Sequence, residues 1–148
     1  MARIKSARSA GDWAKARDML PEQHKIPMGS VDTAWLRMDS AVNRMVIVGV
    51  WVLKQGITRK ALCERVQATL LKYPRFWQRP KAGPKGMCWE PDANFSLDDR
   101  IVSEKLPRAS AGQQQAKLQD RVAELAVEPL DVHRPLWQFH LIERYDGG

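Results

Sequence analysis

The chain has 148 residues, of which 44% are hydrophobic and 28% are charged, and its formal net charge is +7. This length fits one ordinary domain, and the composition is that of a folded globular protein and excludes a disordered one. The two cysteines, Cys63 and Cys88, are too few for a disulfide scaffold or for a zinc site with four cysteine ligands.

The positive charge is concentrated in the first part of the chain. Residues 1–80 carry 15 basic and 6 acidic side chains, whereas residues 81–148 carry 9 and 11. Such a basic surface is compatible with a nucleic acid or with an anionic membrane. The longest apolar run, Met45–Leu53, has nine residues, and a membrane-spanning helix needs about 20. Residues 1–30 lack the apolar stretch of a secretory signal, which predicts a cytoplasmic protein.

The first predicted elements lie on either side of a linker. Residues 1–27 read as a basic N-terminal arm, in which residues 12–20 could form a short helix that ends before Pro21. A second brief helix is predicted over Ser30–Leu36, and Ser30 or Asp32 would accept hydrogen bonds from its first backbone N–H groups.

A buried strand and a long helix follow. Met45–Leu53 is rich in β-branched residues and apolar on both faces, which predicts a strand covered on both sides. Thr58–Leu71 is the clearest helix, with Thr58 as the N-cap and an apolar stripe at every fourth residue from Leu62 to Leu70.

The remaining elements alternate between sheet and helix. Short extended segments on both sides of Lys81–Lys85 predict a hairpin, and Ser110 with Gln113 predicts a capping box for the helix that follows. The predicted segments are strands at Arg75–Arg79, Gly86–Glu90, Ile101–Leu106 and Trp137–Glu143, and a helix at Ala111–Val127. This order predicts an α/β fold, built as a layered α+β sandwich.

The C-terminal residues contain a turn signal. Asp146-Gly147 follows the last predicted strand, and this dipeptide is typical of the two-residue turn of a hairpin. A hairpin turn calls for a returning strand, because a strand without it presents an unpaired edge. We therefore expect the chain to be part of a longer polypeptide.

Three stretches resemble the bacterial wax ester synthase/diacylglycerol acyltransferases. The strongest is Pro129–Glu143, which contains Pro-Leu-Asp and then Arg134-Pro135-Leu136-Trp137. Ser30–Leu36 is similar to the family's Ser-Pro-x-Asp segment, with Val31 in place of the proline, and Trp89–Asp98 resembles its Trp-x-x-Asp…Phe-Asp-Leu stretch. The matches occur in order over residues 28–148.

The resemblance implies a fold and a reaction. The fold would be the N-terminal half-domain of a chloramphenicol-acetyltransferase-like enzyme, incomplete without further polypeptide and truncated before the family's His-His-x-x-x-Asp-Gly motif. The second histidine of that motif would be the general base, so no catalytic residue is expected in this chain. The donor would be acyl-CoA, as a substrate and not a cofactor, and the acceptor a long-chain alcohol or a diacylglycerol. No metal or other cofactor is implied.

The resemblance also supplies candidate site residues. Asp32, Trp35 and Trp137 are predicted to contact substrate in a tunnel or to form interdomain contacts, and Pro135, Leu136 and Trp137 form the family motif. Simpler structural roles are open for the same residues. Asp32 could cap a helix, Pro135 could fix the entry to a strand, and Trp137 could belong to the core.

The other chemically active side chains are ambiguous. His140, on the last strand, is either a base or a hydrogen-bonded structural residue, and the pair of Asp131 and His133 could be a dyad or simply lie in a loop. Seven basic residues could hold CoA phosphates or an anionic membrane, or form a solvated face: Lys54, Arg59, Lys60, Arg65, Lys72, Arg75 and Arg79. Cys63 and Cys88 are expected to be buried thiols.

Two alternative functions remain open. The net charge of +7 and six tryptophans permit a nonenzymatic module that binds nucleic acid or an anionic surface, although no helix-turn-helix or RNP pattern is present, which disfavours nucleic acid. The second alternative is a degenerate acyltransferase half that acts only as an interaction partner. For the enzyme, we expect the rest of the polypeptide as partner, and a cytoplasmic location with peripheral contact to membranes or lipid inclusions.

Overall fold

The structure is a computed structural model that describes residues 25–143 and residue 145. The described residues mix helices with two small sheets, an α+β arrangement. The helices are α1 (Ser30–Met38), α2 (Arg59–Thr69) and α3 (Ala111–Val127), and short 3-10 turns occur at Pro74–Phe76 and Asp98–Arg100. The strands are β1 (Ile26–Pro27), β2 (Gln78–Gly83), β3 (Gly86–Pro91), β4 (Ile101–Lys105) and β5 (Phe139–Glu143).

Local signals placed the two longer helices and the hairpin correctly. The Thr58 side chain accepts a hydrogen bond from the Ala61 backbone N–H at 3.2 Å and so starts α2, as predicted. The capping box of Ser110 and Gln113 is formed at the start of α3. The hairpin pairs β2 with β3 from Gln78↔Pro91 to Gly83↔Gly86, and Gly86 takes the positive φ of 113° that the turn requires.

The two sheets differ in their pairing. β1, β3 and β2 form an antiparallel sheet in that order, which places Ile26–Pro27 in a strand although the sequence reads as a linker there. β4 and β5 pair in parallel from Ile101↔Phe139 to Lys105↔Glu143. Two predicted strands begin later than expected. The 3-10 turn of Pro74–Phe76 takes up the start of the strand predicted at Arg75–Arg79, and β2 runs instead from Gln78 to Gly83. β5 begins at Phe139, two residues after Trp137.

The core lies between α2, the hairpin and the segment after it. Leu71, Trp77 and Phe95 form its buried centre, with Phe76, Leu97 and Trp137 packed against them. The Trp77 indole N–H donates to the Leu71 carbonyl at 3.2 Å, so this indole is buried with its polar atom satisfied. Val66, in the predicted stripe of α2, is also buried, with 3% of its surface exposed.

Two expectations about secondary structure are wrong. Met45–Leu53 is not a strand: the described residues provide no ladder for it, and Ile47 and Trp51 are 84% and 74% exposed. The sequence has the β-branched composition of a buried strand, but a strand also needs neighbouring backbone. At α1, the N-cap is Gly29, and neither Ser30 nor Asp32 caps the helix. Asp32 lies instead in the first turn, where its charge favours the helix dipole.

The basic arm, the helix predicted over residues 12–20 and the turn at residues 146–147 lie outside the described residues.

Candidate functional site: an apolar groove with an aromatic end

A large groove opens between α3, β5, the loop of residues 129–138 and the Met45–Leu53 segment. Its volume is about 950 Å³, within the range of small-molecule sites. Leu118, Val122 and Leu125, which the sequence predicts as the buried stripe of α3, are only half-buried and line this groove. The groove explains why an apolar helix face is left incompletely covered.

One end of the groove is built from aromatic rings. Trp137 lies between Phe76 and Phe139 in edge-to-face contact, with ring centroids 5.8 and 5.5 Å apart. Its indole N–H donates to the Phe76 carbonyl at 2.8 Å, which fixes the ring orientation. Trp35 and Trp89 also line the groove. We call this region, with Asp32, Leu136 and the adjoining Arg75, the aromatic end.

The predicted site residues line the same groove. Asp32, Trp35 and Trp137 all line the groove although Asp32 and Trp137 are far apart in the sequence. In the family motif, Leu136 lines the groove as well, whereas Pro135 is fully buried and does not line it. Whether these residues contact a substrate remains a prediction.

Arg75 is a member of the aromatic end that the sequence interpretation assigned to a basic face. Its guanidinium lies 3.7 Å from the centroid of the Trp89 ring, and a nitrogen lies 3.7 Å from an Asp32 carboxylate oxygen. Burial lowers the pKa of Arg75, and the neighbouring Asp32 carboxylate partly opposes this. A second cavity of about 350 Å³ joins Arg75 and Asp32 to Phe76, Trp89, Leu136 and Trp137. No sequence signal links residues so far apart.

A charged network holds the loop that carries the family motif. Arg134 contacts the buried Asp92 carboxylate at 3.2 Å and donates to the Asn94 carbonyl at 2.6 Å. Arg100 donates to the Pro135 carbonyl at 3.3 Å, and its pKa is lowered by burial and by the nearby Arg134 cation. The motif arginine therefore has a structural explanation: it anchors the loop from which Leu136 and Trp137 reach the groove.

His140 is engaged in structural contacts through both ring nitrogens. His140 Nδ1 lies 2.8 Å from a Glu104 oxygen, and Nε2 lies 3.2 Å from the Gln138 amide oxygen. Glu104 also pairs with Arg121 at 2.8 Å. These contacts favour the structural interpretation of His140.

The proposed dyad of Asp131 and His133 is not formed. The Asp131 carboxylate accepts a hydrogen bond from the backbone N–H of His133 at 2.8 Å, which is a loop contact of the kind that aspartate makes in turns. The imidazole is not involved in that bond. His24 lies outside the described residues.

The seven basic residues do not form one free surface. Arg59 pairs with Asp98 at 2.8 Å and Arg79 pairs with Glu90 at 2.8 Å, while Arg75 belongs to the aromatic end. The hydrogen bond to Asp98 raises the pKa of Arg59.

Cys63 and Cys88 are free thiols of intermediate exposure, whereas the sequence predicted buried thiols. Residues 25–143 contain no cluster of three metal-ligating side chains, and their helices are too short or too polar to cross a membrane.

Comparison with known proteins shows which family the groove-forming part of the chain resembles. Residues 28–148 match the model of the wax ester synthase/diacylglycerol acyltransferase catalytic domain. A protein named as a probable diacylglycerol O-acyltransferase of Mycobacterium tuberculosis is 26% identical over 122 residues, which cover 78% of this chain and 44% of that relative. Wax ester synthase/diacylglycerol acyltransferase 6 of Arabidopsis thaliana is 28% identical over 104 residues, covering 66% and 20%. The chain thus spans less than half of these relatives. No solved structure matches it significantly.

Proposed function

We propose that this chain, which belongs to the wax ester synthase/diacylglycerol acyltransferase family, forms the N-terminal part of an acyl-CoA-dependent O-acyltransferase. The acceptor is a long-chain alcohol, which gives a wax ester, or a diacylglycerol, which gives a triacylglycerol. In this proposal the chain is one half of a chloramphenicol-acetyltransferase-like fold, and the remaining polypeptide supplies the general base. The relatives carry the names of acyltransferases, which supports the class of reaction.

One observation of the structure carries the proposal. Asp32, Trp35 and Trp137, which sequence resemblance alone singles out, line the same groove of about 950 Å³. Apolar and aromatic walls suit an acyl chain, because burying each methylene group gains about 0.8 kcal/mol. Asp32 and Arg75 place a carboxylate and a cation against these rings at one end, where the polar part of a substrate would lie.

The reaction needs ordering of substrates and one proton transfer. The alcohol oxygen attacks the thioester carbonyl carbon, a base takes the hydroxyl proton, and the tetrahedral intermediate collapses with release of the CoA thiol. A histidine with pKa near neutrality is suited to both proton transfers. The walls of the groove would hold the two substrates together and keep water away from the thioester.

His140 does not replace that base. Both nitrogens of His140 lie within hydrogen-bond distance of side-chain oxygens, and they are held there by Glu104 and Gln138. A base must have a nitrogen available to the attacking hydroxyl. We therefore assign the base to polypeptide beyond this chain. In this proposal the residues that line the groove position the substrates. We also expect a cytoplasmic protein that contacts lipid surfaces peripherally.

A direct assay tests the proposal. The chain, produced together with the polypeptide that completes it, is supplied with palmitoyl-CoA and either hexadecanol or dioleoylglycerol, and ester and free CoA are measured. We expect ester formation with release of one thiol per ester. Trp35→Ala, which removes an exposed wall of the groove, should lower the rate about tenfold or more, corresponding to about 1.4 kcal/mol of lost transition-state stabilisation.

The matched control is Val31→Ala, on the same helix, because Val31 is 66% exposed and does not line the groove. It should leave the rate unchanged. Absence of ester with both acceptors refutes the proposed activity, and equal rates for the two variants refute the role of the groove.

A further inference from the structure

Asp32 and Arg75 are the charged pair of the aromatic end, and neither side chain is hydrogen-bonded to a described residue. The nearest nitrogen and oxygen of the pair lie 3.7 Å apart, beyond the usual hydrogen-bond distance of about 2.7–3.2 Å. The Arg75 guanidinium is held instead by stacking on the Trp89 ring, 3.7 Å from its centroid. About half of each side chain is exposed, so the N–H donors and the carboxylate oxygens are open to a ligand.

The pair lies where two cavities meet. The cavity of about 350 Å³ shares all of its lining residues except Arg75 with the groove of about 950 Å³. Apart from the pair, the smaller cavity is lined by apolar and aromatic residues: Phe76, Trp89, Leu136 and Trp137. A ligand in the groove can therefore place its apolar part against these walls and one polar group on the pair.

The charges of the pair disfavour an anionic ligand such as a CoA phosphate. At a separation of 3.7 Å, the Asp32 carboxylate offsets the positive charge of Arg75. An anion that is attracted by the guanidinium is therefore repelled by the carboxylate beside it. An ester group is also a poor match, because it has acceptor oxygens for Arg75 and no donor for Asp32.

A hydroxyl group matches the pair. Its single oxygen both donates and accepts a hydrogen bond, and an oxygen about 2.8 Å from each of the two atoms fits the gap of 3.7 Å. It would accept from Arg75 and donate to Asp32. A trans secondary amide does not fit in the same way, because its N–H and C=O point to opposite sides. The geometry thus selects a neutral ligand with a hydroxyl group.

We infer that Asp32 and Arg75 hold a second, non-reacting hydroxyl of the acceptor, so that the complete enzyme favours a long-chain 1,2-diol over a simple long-chain alcohol. This inference rests on the proposed acyl transfer. In that reaction the attacking hydroxyl gives its proton to the general base, whereas the held hydroxyl donates its proton to Asp32. The hydroxyl on the neighbouring carbon attacks the thioester carbonyl carbon. A C–O bond forms, the C–S bond breaks, and the base passes the proton to the leaving CoA sulfur.

Competition between two acceptors tests the inference. The chain, produced together with the polypeptide that completes it, is supplied with palmitoyl-CoA and equal amounts of 1-dodecanol and 1,2-dodecanediol, and the two monoesters are measured by mass spectrometry. We expect the diol to be used about fivefold more efficiently, the effect of one added hydrogen bond. Arg75→Met and Asp32→Ala should each bring this ratio to about one. The matched controls, Arg65→Met and Asp120→Ala, are at exposed positions that line neither cavity and should preserve the ratio.

Binding to the chain itself tests the hydroxyl site without any reaction. 1-Hexanol, methyl hexanoate and hexanoate are titrated, and the NMR signal of the Trp89 indole N–H is followed, because this ring lies under the Arg75 guanidinium. We expect hexanol to bind about fivefold more tightly than methyl hexanoate. In Asp32→Ala, hexanol should bind more weakly and hexanoate about threefold more tightly, because the repelling carboxylate is gone and the cation remains. A merely structural role of Asp32 would not move the two ligands in opposite directions.

The outcomes separate this inference from the proposed function. An enzyme that esterifies both acceptors equally overturns the inference and leaves the acyl transfer standing, whereas an enzyme that forms no ester with any acceptor refutes the acyl transfer. Equal binding of hexanol and methyl hexanoate to the chain also overturns the inference, because the pair then holds only water. An unchanged indole signal of Trp77, which donates to the Leu71 carbonyl in the core, shows that each variant is folded. If Asp32→Ala does not fold, the ratio measured with Arg75→Met decides.

Discussion

The Met45–Leu53 segment is rich in β-branched residues, which favour strands, and the β2–β3 hairpin contains none, yet only the hairpin is folded against a core. In the hairpin region, Trp77 and Trp89 are each 6% exposed, whereas Trp51 in the segment is 74% exposed. The difference lies in the backbone partner. β2 finds β3 across a two-residue turn, so its hydrogen bonds are made locally. The Met45–Leu53 segment has no such neighbour in the sequence. An apolar, β-branched run thus predicts a need for burial without specifying what provides it.

The largest expected effect comes from truncating one indole in each region. Trp77→Ala removes a buried ring and its hydrogen bond to the Leu71 carbonyl, and it should lower the free energy of unfolding by about 4 kcal/mol. Trp51→Ala should change it by less than about 0.5 kcal/mol, because the ring is already in water. Urea unfolding followed by circular dichroism measures both. Equal losses would show that the segment is packed as tightly as the hairpin.

The next effect tests the anchoring of the motif loop against the hairpin. Arg134→Met leaves the Asp92 carboxylate, 2% exposed, buried without its cation, and should cost about 3 kcal/mol of folding free energy. Lys105→Met is the control, because Lys105 and Glu143 form an exposed pair at 3.9 Å whose loss should cost less than about 1 kcal/mol. Thermal unfolding of the two variants compares them. A stable Arg134→Met protein would mean that the loop is held by other contacts.

The smallest effect concerns α2, the helix that contacts β4. Thr58→Ala removes the side-chain cap of α2 and should lower the free energy of unfolding by about 1 kcal/mol. Thr69→Ala, at the other end of α2, removes only a hydroxyl that donates to the Arg65 carbonyl within the same helix, and its effect should stay within about 0.5 kcal/mol. Chemical unfolding distinguishes them, and the reverse order of stability would contradict the capping assignment.

Part of the candidate site could be predicted and part could not. Resemblance in short motifs selected Asp32, Trp35 and Trp137, and the structure brings these three to one groove. Sequence reasoning missed four residues that build the aromatic end or anchor the motif loop, because their partners are distant in sequence: Arg75, Trp89, Asp92 and Arg100. The guanidinium of Arg75 meets Trp89 and Asp32, and Arg134 meets Asp92 across 42 residues. Nothing in the pattern of single residues encodes such pairs.

What the sequence determined by itself is the set of elements whose signals are local: α2 with its threonine cap, α3 with its capping box, and the hairpin with Gly86 at its turn. These depend on hydrogen bonds and dihedral angles within a few residues, so composition and spacing suffice to predict them. Tertiary structure alone decided that Met45–Leu53 lies beside a groove with no strand partner among the described residues, and that distant rings and charges meet at the aromatic end of this groove. Such outcomes depend on which backbone and side chains arrive next to one another, and a strand exists only where another strand pairs with it.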